Sequence, residues 1–112
     1  MKKVEAVFRP EKLECVRAAL DELERAGMTV FEVKGHGVQG GVTQRWRGGD
    51  YHVGLVPKVM VMAVVYDHEV QEVIETILST ARTGAMGDGK VFVTNVEQAL
   101  RIRTGENGSQ AL

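Results

Sequence analysis

Three glycines and one lysine lie close together in residues 84–90, which read GAMGDGK. Glycines allow several backbone N–H groups to converge on an anion, and a lysine adds a positive charge. The segment is not a Walker A loop, because the Ser or Thr that ends that motif is missing. It is therefore a candidate phosphate-binding loop, and the alternative is a simple glycine-rich turn between a helix and a strand.

Two arginines, Arg101 and Arg103, alternate in the segment RIRTGE near the C-terminal end. Residues two positions apart on a strand point to the same face, so a short strand here would place both guanidinium groups side by side. Two neighbouring cations need an anion or an acidic partner. We predict such a strand and such a pair, and the alternative is solvated charge on a frayed C-terminal tail.

A long segment, residues 37–55, contains most of the remaining unusual chemistry. Seven of the thirteen glycines lie between residues 35 and 54, which leaves too little side-chain mass for a packed helix or an ordinary tight hairpin. Loops of this length are usually functional or disordered. Arg45, Trp46 and Arg47 suggest an interaction tip, because Trp and Arg dominate interface hot spots. The alternative is that Trp46 packs onto its own domain.

Other residue types argue against catalysis and against several classes of partner. No Ser/His/Asp set or close Cys/His pair is present, and the histidines follow no zinc motif. Cys15 is the one cysteine of the sequence, so an internal disulfide is excluded. It lies in a helical pattern, and we expect it to be a small packed side chain. A net charge of −1 gives no electrostatic case for nucleic acid. The longest apolar run has eight residues, against about 20 for a membrane span, so we predict a cytoplasmic protein.

The elements that position these residues follow from periodicity. Residues 3–9 alternate as a strand, and Pro10 precedes a helical apolar stripe that we expect Gly27 to end. Residues 28–34 predict a second strand and residues 58–66 a third. We expect Asp67 to cap a helix that runs to residue 82, and residues 90–96 predict a last strand.

This order, β-α-β-β-α-β with a C-terminal extension, predicts an α+β ferredoxin-like sandwich formed by one domain, residues 1–112. Both helices of such a sandwich lie on one side of its antiparallel sheet. Val, Met and Ala occupy both faces of residues 59–65, so the other side of the sheet should also be buried. Self-association would supply that cover.

Several segments together resemble the PII signal-transduction family over almost the whole chain. They are MKKVEAVFRPEKLE, GMTVFEVKGHG, RGGDY, PKV, ARTGAMGDGKVFV and VEQALRIRTGE. The segment GVQGG resembles the GlnK-like subgroup, which is associated with ammonium transporters. The resemblance implies a homotrimer that reports nitrogen status, with nucleotide sites between its subunits.

The resemblance also implies ligands and their residues. ATP and ADP would share one site, and 2-oxoglutarate would join Mg²⁺-ATP by chelating the ion beside Gln39. Val38 replaces an arginine that many relatives carry, which would weaken the preference for ATP over ADP. The implied nucleotide-binding residues are Thr29, Gly35, Gly37, Val38, Gln39, Val64, Gly87, Asp88, Gly89, Lys90, Arg101 and Arg103; the implied 2-oxoglutarate-binding residues are Arg9, Gln39, Gly41 and Lys58.

Finally, the resemblance implies how the chain divides its work and reports its state. Residues 82–90 would form the phosphate-binding loop, residues 101–112 a C-terminal segment, and residues 37–55 the partner-docking loop. An ammonium transporter is the favoured partner, which would recruit the protein to the inner face of the membrane, and other nitrogen-metabolism proteins are alternatives. The implied docking residues are Arg45, Trp46, Arg47 and Tyr51, and Tyr51 matches a residue that some relatives nucleotidylate.

Three other functions stay open at this point. A trimeric enzyme or a metal-handling protein on the same sandwich would need a reactive set of side chains that the sequence does not display. An RNA-binding module would need more aromatic residues and more positive charge. A regulator of a biosynthetic enzyme differs from a transporter regulator only in its partner.

Overall fold

The structure is a computed structural model, which describes residues 1–24, 27–36, 43–46, 49–52 and 54–112. Its main sheet has four antiparallel strands, and a separate ladder has two. In chain order the strands and helices are β1 (Lys2–Phe8), α1 (Leu13–Asp21), β2 (Thr29–Gly35), β3 (Thr43–Trp46), β4 (Gly49–His52), β5 (Val56–Val65), α2 (Val70–Ala81) and β6 (Lys90–Asn95).

The main sheet has the strand order β2-β5-β1-β6, with all neighbouring strands antiparallel. Strand β1 therefore lies between β5 and β6, although β6 is formed almost 90 residues later in the chain. Together with the two helices, this order confirms the predicted α+β ferredoxin-like arrangement.

The core lies between the two helices and one face of the sheet. Alternate residues of β1 are buried, namely Val4, Ala6 and Phe8, and alternate residues of β5 face the same side. Val16 from α1 and Ile77 from α2 pack into this layer. A period of two on the strands thus meets a helical period of 3.6, as the sequence pattern predicted.

The opposite face of the sheet, which we call the open face, carries apolar side chains that are partly exposed to solvent. Met60 and Met62 of β5 are half-buried in its middle. Phe31 on one edge strand is 40% exposed, and Phe92 on the other edge strand is 51% exposed. The expectation that this face is covered by a second subunit remains a prediction.

Helix α1 is shorter than expected, and Gly27 does not end it. The last helical residue is Asp21, after which Leu23 and Glu24 make tighter 3₁₀-type bonds to Leu20 and Asp21. Glu24 has a φ of 51°, so a non-glycine residue adopts the left-handed conformation that the prediction had assigned to Gly27. The apolar stripe continued past the helix end, which is why periodicity overestimated its length.

The sequence predicted that Asp67 caps helix α2, and this prediction was wrong. A 3₁₀ turn, Asp67–Glu69, precedes α2, and the carboxylate of Glu69 accepts a hydrogen bond from the Tyr66 backbone N–H at 3.1 Å. The Asp67 carboxylate instead pairs with the N-terminal ammonium group of Met1 at 2.9 Å, which lowers the pKa of Asp67.

The segment between β2 and β5 differs from the prediction in one respect. We expected residues 37–55 to form no tight hairpin, but β3 and β4 pair in register from Thr43 opposite His52 to Trp46 opposite Gly49. The β-branched and aromatic residues on these short strands favour pairing despite the surrounding glycines.

The C-terminal tail is attached to the domain and not frayed. The Tyr66 hydroxyl donates to the Ser109 carbonyl at 2.9 Å, and Gly108 N–H donates to the Ala99 carbonyl at 2.9 Å. A short 3₁₀ turn, Gly108–Ala111, follows. No helix among the described residues is long and apolar enough to cross a membrane.

Cys15 is exposed on α1 and does not pack into the core, so the expectation for it was wrong. Its neighbour Val16 occupies the buried position. Adjacent residues of a helix point about 100° apart, so Cys15 faces solvent when Val16 faces the core. A small apolar-like residue beside the stripe was therefore mistaken for part of it.

These neighbours give a matched test of the helix orientation. Val16→Ala should lower the free energy of unfolding by about 2 kcal/mol, because it removes buried methyl groups and leaves a cavity. Cys15→Ala should change the same free energy by less than about 0.5 kcal/mol, as exposed substitutions usually do. Urea unfolding measures both, and equal losses for the two variants would contradict the assigned face.

Candidate functional site

The candidate phosphate-binding loop connects α2 to β6 through a series of unusual backbone conformations. Helix α2 ends at Ala81, and Arg82 is already extended. Gly84, Gly87 and Gly89 follow with φ values of 90°, 96° and 104°. L-residues with a side chain rarely adopt this region, so the glycines are required by the path of the loop.

The carboxylate of Asp88, near the end of this loop, accepts hydrogen bonds from residues at its beginning. Its Oδ2 accepts hydrogen bonds from the backbone N–H groups of Thr83 and Gly84, both at 2.8 Å. Its Oδ1 accepts from the Thr83 hydroxyl and from Nε of Arg9, the latter at 3.1 Å. The carboxylate therefore receives four donors, and these bonds hold the pKa of Asp88 well below its usual range.

Two cations from the main sheet reach the same loop. Arg9, directly after β1, donates from Nη2 to the Met86 carbonyl at 2.7 Å. Lys58 of β5 donates from Nζ to the Gly87 carbonyl at 2.6 Å. Both residues were expected at a 2-oxoglutarate site, and the structure places both against the phosphate-binding loop.

Lys58 is a buried cation, with 9% of its surface exposed. Burial lowers the pKa of Lys58, and the nearby positive charge of Arg9 lowers it further. The bond to the Gly87 carbonyl compensates only part of the lost hydration, because a carbonyl carries no full negative charge. The position of Lys58 thus favours an arriving anion.

Gly89 marks where the loop meets the sheet. A Cβ atom at this position would overlap the backbone carbonyl oxygen of Val7. The loop and strand β1 therefore approach each other more closely than any residue other than glycine allows. Lys90 then begins β6 and pairs with Val7, and its side chain is exposed. The lysine consequently lies at the open face, since Val7 belongs to that face.

The arginines of the C-terminal segment do not lie on a strand, which corrects the prediction. Residues 102–104 form a turn, closed by bonds from Arg101 N–H to the Glu106 carbonyl at 2.8 Å and from Gly105 N–H to the Arg101 carbonyl at 2.7 Å. Arg101 pairs with the Glu106 carboxylate at 2.9 Å, whereas Arg103 is exposed. Three alternating residues were too few to distinguish a strand from a turn.

Two other predicted nucleotide residues, Thr29 and Val64, lie away from the loop. Thr29 begins β2 and pairs with Met62, while Val64 is farther along β5 on the same open face. Gly35 is at the opposite end of β2, where a Cβ atom would lie 3.4 Å from the side chain of Lys58. Thr29 and Lys90 occupy the two edge strands, three strand spacings or about 14 Å apart. Within one chain the structure does not bring these residues together.

Several predicted residues lie outside the described part of the chain or are described only through their backbone. Arg45, Trp46 and Tyr51 belong to the paired strands β3 and β4. The expectations for Gly37, Val38, Gln39, Gly41 and Arg47 lie outside the described residues.

The recess beside the loop on the helix side has a volume of about 160 Å³ and is lined by Phe8, Ile77, Ala81 and Gly89 among others. Small-molecule sites usually occupy about 300–1,000 Å³, so this recess is too small to enclose a nucleotide. The described residues contain no group of three or more acidic, His or Cys side chains that could hold a metal ion.

Sequence reasoning missed three contributors to the site: Thr83, the Met86 carbonyl and Glu106. Asp88 was assigned to nucleotide binding, yet its carboxylate is occupied by the protein itself. A signal for this role was available, because Asp side chains often accept from backbone N–H groups a few residues away. The partnership of Glu106 with Arg101 could not be inferred without the turn between them.

Comparisons with known proteins agree on one family. The model of a family described as Nitrogen regulatory protein P-II matches residues 1–106. The chain is 49% identical to "Nitrogen regulatory protein P-II 2" of Methanothermobacter thermautotrophicus over 112 residues, which cover all of this chain and 97% of that protein. It is 50% identical to proteins called "Nitrogen regulatory protein P-II" from Rhizobium meliloti and Nostoc punctiforme, with both chains covered completely.

The close approach at Gly89 predicts the effect of adding one methyl group. Gly89→Ala and Gly84→Ala both place a side chain at a positive φ, but only the first one overlaps backbone. Gly84→Ala should cost about 1–2 kcal/mol of stability, and Gly89→Ala at least about 2 kcal/mol more, because β1 and the loop must separate. Urea unfolding of both variants provides the measurement, and equal costs would show that the loop does not contact Val7 as described.

Proposed function

We propose, given that the chain belongs to the nitrogen regulatory protein P-II family, that it binds ATP or ADP and, together with Mg²⁺-ATP, 2-oxoglutarate. The bound state would then control a partner protein through residues 37–55. The observation that carries this proposal is the meeting of Arg9 and buried Lys58 at the carbonyl groups of a glycine-rich loop. Two cations beside such a loop favour an anionic ligand with several oxygen atoms.

In this proposal the nucleotide phosphates bind the glycine loop and Lys90. The exposed ammonium group of Lys90 is available at the open face, next to the backbone of Gly89. Charge-assisted contacts of this kind contribute roughly 1.5–3 kcal/mol each. The exposure of Arg103 supports a site that is shared between subunits.

The metabolite carboxylate would pair with Lys58, with Arg9 close by. Binding would replace the bond from Lys58 Nζ to the Gly87 carbonyl by a bond to a full negative charge. Mg²⁺ would be held by the triphosphate, by the chelating oxygens of 2-oxoglutarate and by Gln39, which lies outside the described residues. Few protein ligands and hard oxygen donors are typical of Mg²⁺ sites.

A homotrimer would complete the site and cover the open face. Phe31 and Phe92 are exposed on the two edge strands and Met60 between them is half-buried, and we call these three residues the apolar strip. A second copy would bury this strip and bring its own Arg103 near the phosphate-binding loop. In this proposal the protein acts in the cytoplasm as a sensor. The name of the family describes regulation, which supports a sensor without catalytic turnover.

A complementation experiment tests the shared site. Lys90→Ala and Arg103→Ala should each weaken ATP binding about tenfold or more. In a mixed trimer of the two variants, one of the three interfaces receives Lys90 from one subunit and Arg103 from another and is intact, so about a third of the sites should regain full affinity. Co-expression with two different tags, followed by calorimetry, measures this fraction. Absence of recovery in proven mixed assemblies would place both residues in one subunit.

The partner proposed here is an ammonium transporter. ADP-bound protein should dock on the transporter through residues 37–55, and Mg²⁺-ATP with 2-oxoglutarate should release it, because the metabolite binds at the root of that loop. A ligand shifts such an equilibrium only by its differential affinity for the two states.

Co-purification with the cognate transporter tests this output. The wild type should be retained under ADP and released by Mg²⁺-ATP with 2-oxoglutarate. Lys58→Gln should be retained under both conditions, because the metabolite carboxylate loses its cation. The control Arg17→Gln changes an exposed cation of α1 and should behave as the wild type. Equal retention of the wild type under both conditions, or no capture at all, would exclude the transporter and favour a biosynthetic enzyme as partner.

A further inference from the structure

The position of Asp88 poses an electrostatic problem for a phosphate-binding loop. A carboxylate among phosphate oxygens is repulsive, so its presence needs an explanation. The structure supplies one, because both carboxylate oxygens are occupied by donors from Thr83, Gly84 and Arg9. The charge of Asp88 is thus satisfied inside the loop.

Arg9 connects this internal carboxylate to the main sheet. Its Nε donates to Asp88 Oδ1 at 3.1 Å, and its Nη2 donates to the Met86 carbonyl at 2.7 Å. The guanidinium group therefore holds the loop at two points on either side of Gly87. Both Arg9 and Asp88 are largely shielded, with 22% and 23% of their side chains exposed, so the pair is less screened by solvent than a surface ion pair.

Arg9 follows directly after β1, where Val7 lies against Gly89. The loop is thus fixed to β1 twice, once by the backbone contact at Gly89 and once by the side chain of Arg9. Gly87, which has a φ of 96°, lies between these two attachments. Without the Arg9 link, the section around Gly87 would keep the contact at Gly89 and the bond from Lys58 but would lose the bonds at Met86 and Asp88.

We propose that Asp88 is a positioning residue that, through its bond to Arg9, fixes the phosphate-binding loop in its nucleotide-binding shape. Arg9 consequently contributes to ATP affinity in the absence of 2-oxoglutarate, in addition to its proposed position beside the 2-oxoglutarate carboxylate. This inference deepens the proposed function and rests on it. It also gives the metabolite and nucleotide sites a direct protein connection besides the metal ion.

A double-mutant cycle measured by ATP binding without 2-oxoglutarate tests the proposal. Arg9→Met keeps the apolar stem and loses both donors. Asp88→Asn keeps one oxygen for the N–H groups of Thr83 and Gly84 but turns a second donor toward Arg9. Each variant should weaken ATP binding about fivefold, and the double variant should be no weaker than Asp88→Asn, because both substitutions break the same link. Arg9→Lys, which restores one donor, should recover part of the affinity.

The direction of the Asp88→Asn effect separates positioning from simple charge. If only net charge mattered, removal of a negative charge would tighten ATP binding, whereas loss of the positioning bond weakens it. Arg17→Met on α1 is the matched control, since it removes an exposed arginine with two acidic partners and should leave ATP affinity unchanged. Thermal unfolding of each variant identifies loss of folding; if Asp88→Asn does not fold, the Arg9→Met and Arg9→Lys measurements decide.

Three results would overturn the proposal: unchanged ATP affinity in Arg9→Met, tighter binding by Asp88→Asn, or additive losses in the double variant. Each of these leaves the proposed nucleotide function intact, because the wild type still binds ATP. A wild-type protein that binds no ATP would instead overturn the proposed function, and this inference with it.

Discussion

The contact between Gly89 and the carbonyl group of Val7 is the constraint on which the site depends. It brings the phosphate-binding loop against the central strand β1, next to the position where Lys90 begins to pair with Val7. The same strand continues into Arg9, which reaches back to Asp88 and Met86. One backbone approach therefore fixes the loop, the start of β6 and the position of the cation that holds the loop, and it explains why residue 89 is a glycine.

The electrostatics of the site connect it to folding stability. The four donors lower the pKa of Asp88 below its unfolded value of about 3.9, so this carboxylate stabilises the fold above that pH and loses its contribution as the pH falls. Burial also lowers the pKa of Lys58, so the charged form opposes folding at neutral pH. Just below the unfolded value of about 10.4 the unfolded chain binds more protons, and stability rises with pH there. The fold thus tolerates an unfavourable cation at Lys58, which is the property that an anion-binding site requires.

Local patterns in the sequence predicted the order of the main-sheet strands and the two helices, the buried face of β1 and the glycine-rich loop, because each depends on residues that are close in the chain. They failed where the partner is distant or where the pattern is short. Asp67 was expected to cap a helix, but it pairs with the N-terminal ammonium group 66 residues away. Arg9 and Asp88 are separated by 79 residues and meet only because β6 returns beside β1. The turn at Arg101 and Arg103 depends on backbone bonds around Gly105 that alternation over three residues cannot reveal.

The open face of the single chain carries both the exposed apolar side chains and several of the predicted nucleotide-binding residues. The open face carries Phe31 and Phe92 at its edges, Lys90 begins at this face, and Thr29 lies on the opposite edge strand. Burial of apolar side chains of this size contributes roughly 1.5–3 kcal/mol each, so covering the face would drive association strongly. A nucleotide spanning from Lys90 to residues on another strand would then lie at the border of the buried area. In the proposed trimer, assembly and ligand binding are for this reason the same structural problem: the subunit contact that removes the apolar strip from water also completes the site around the phosphate-binding loop.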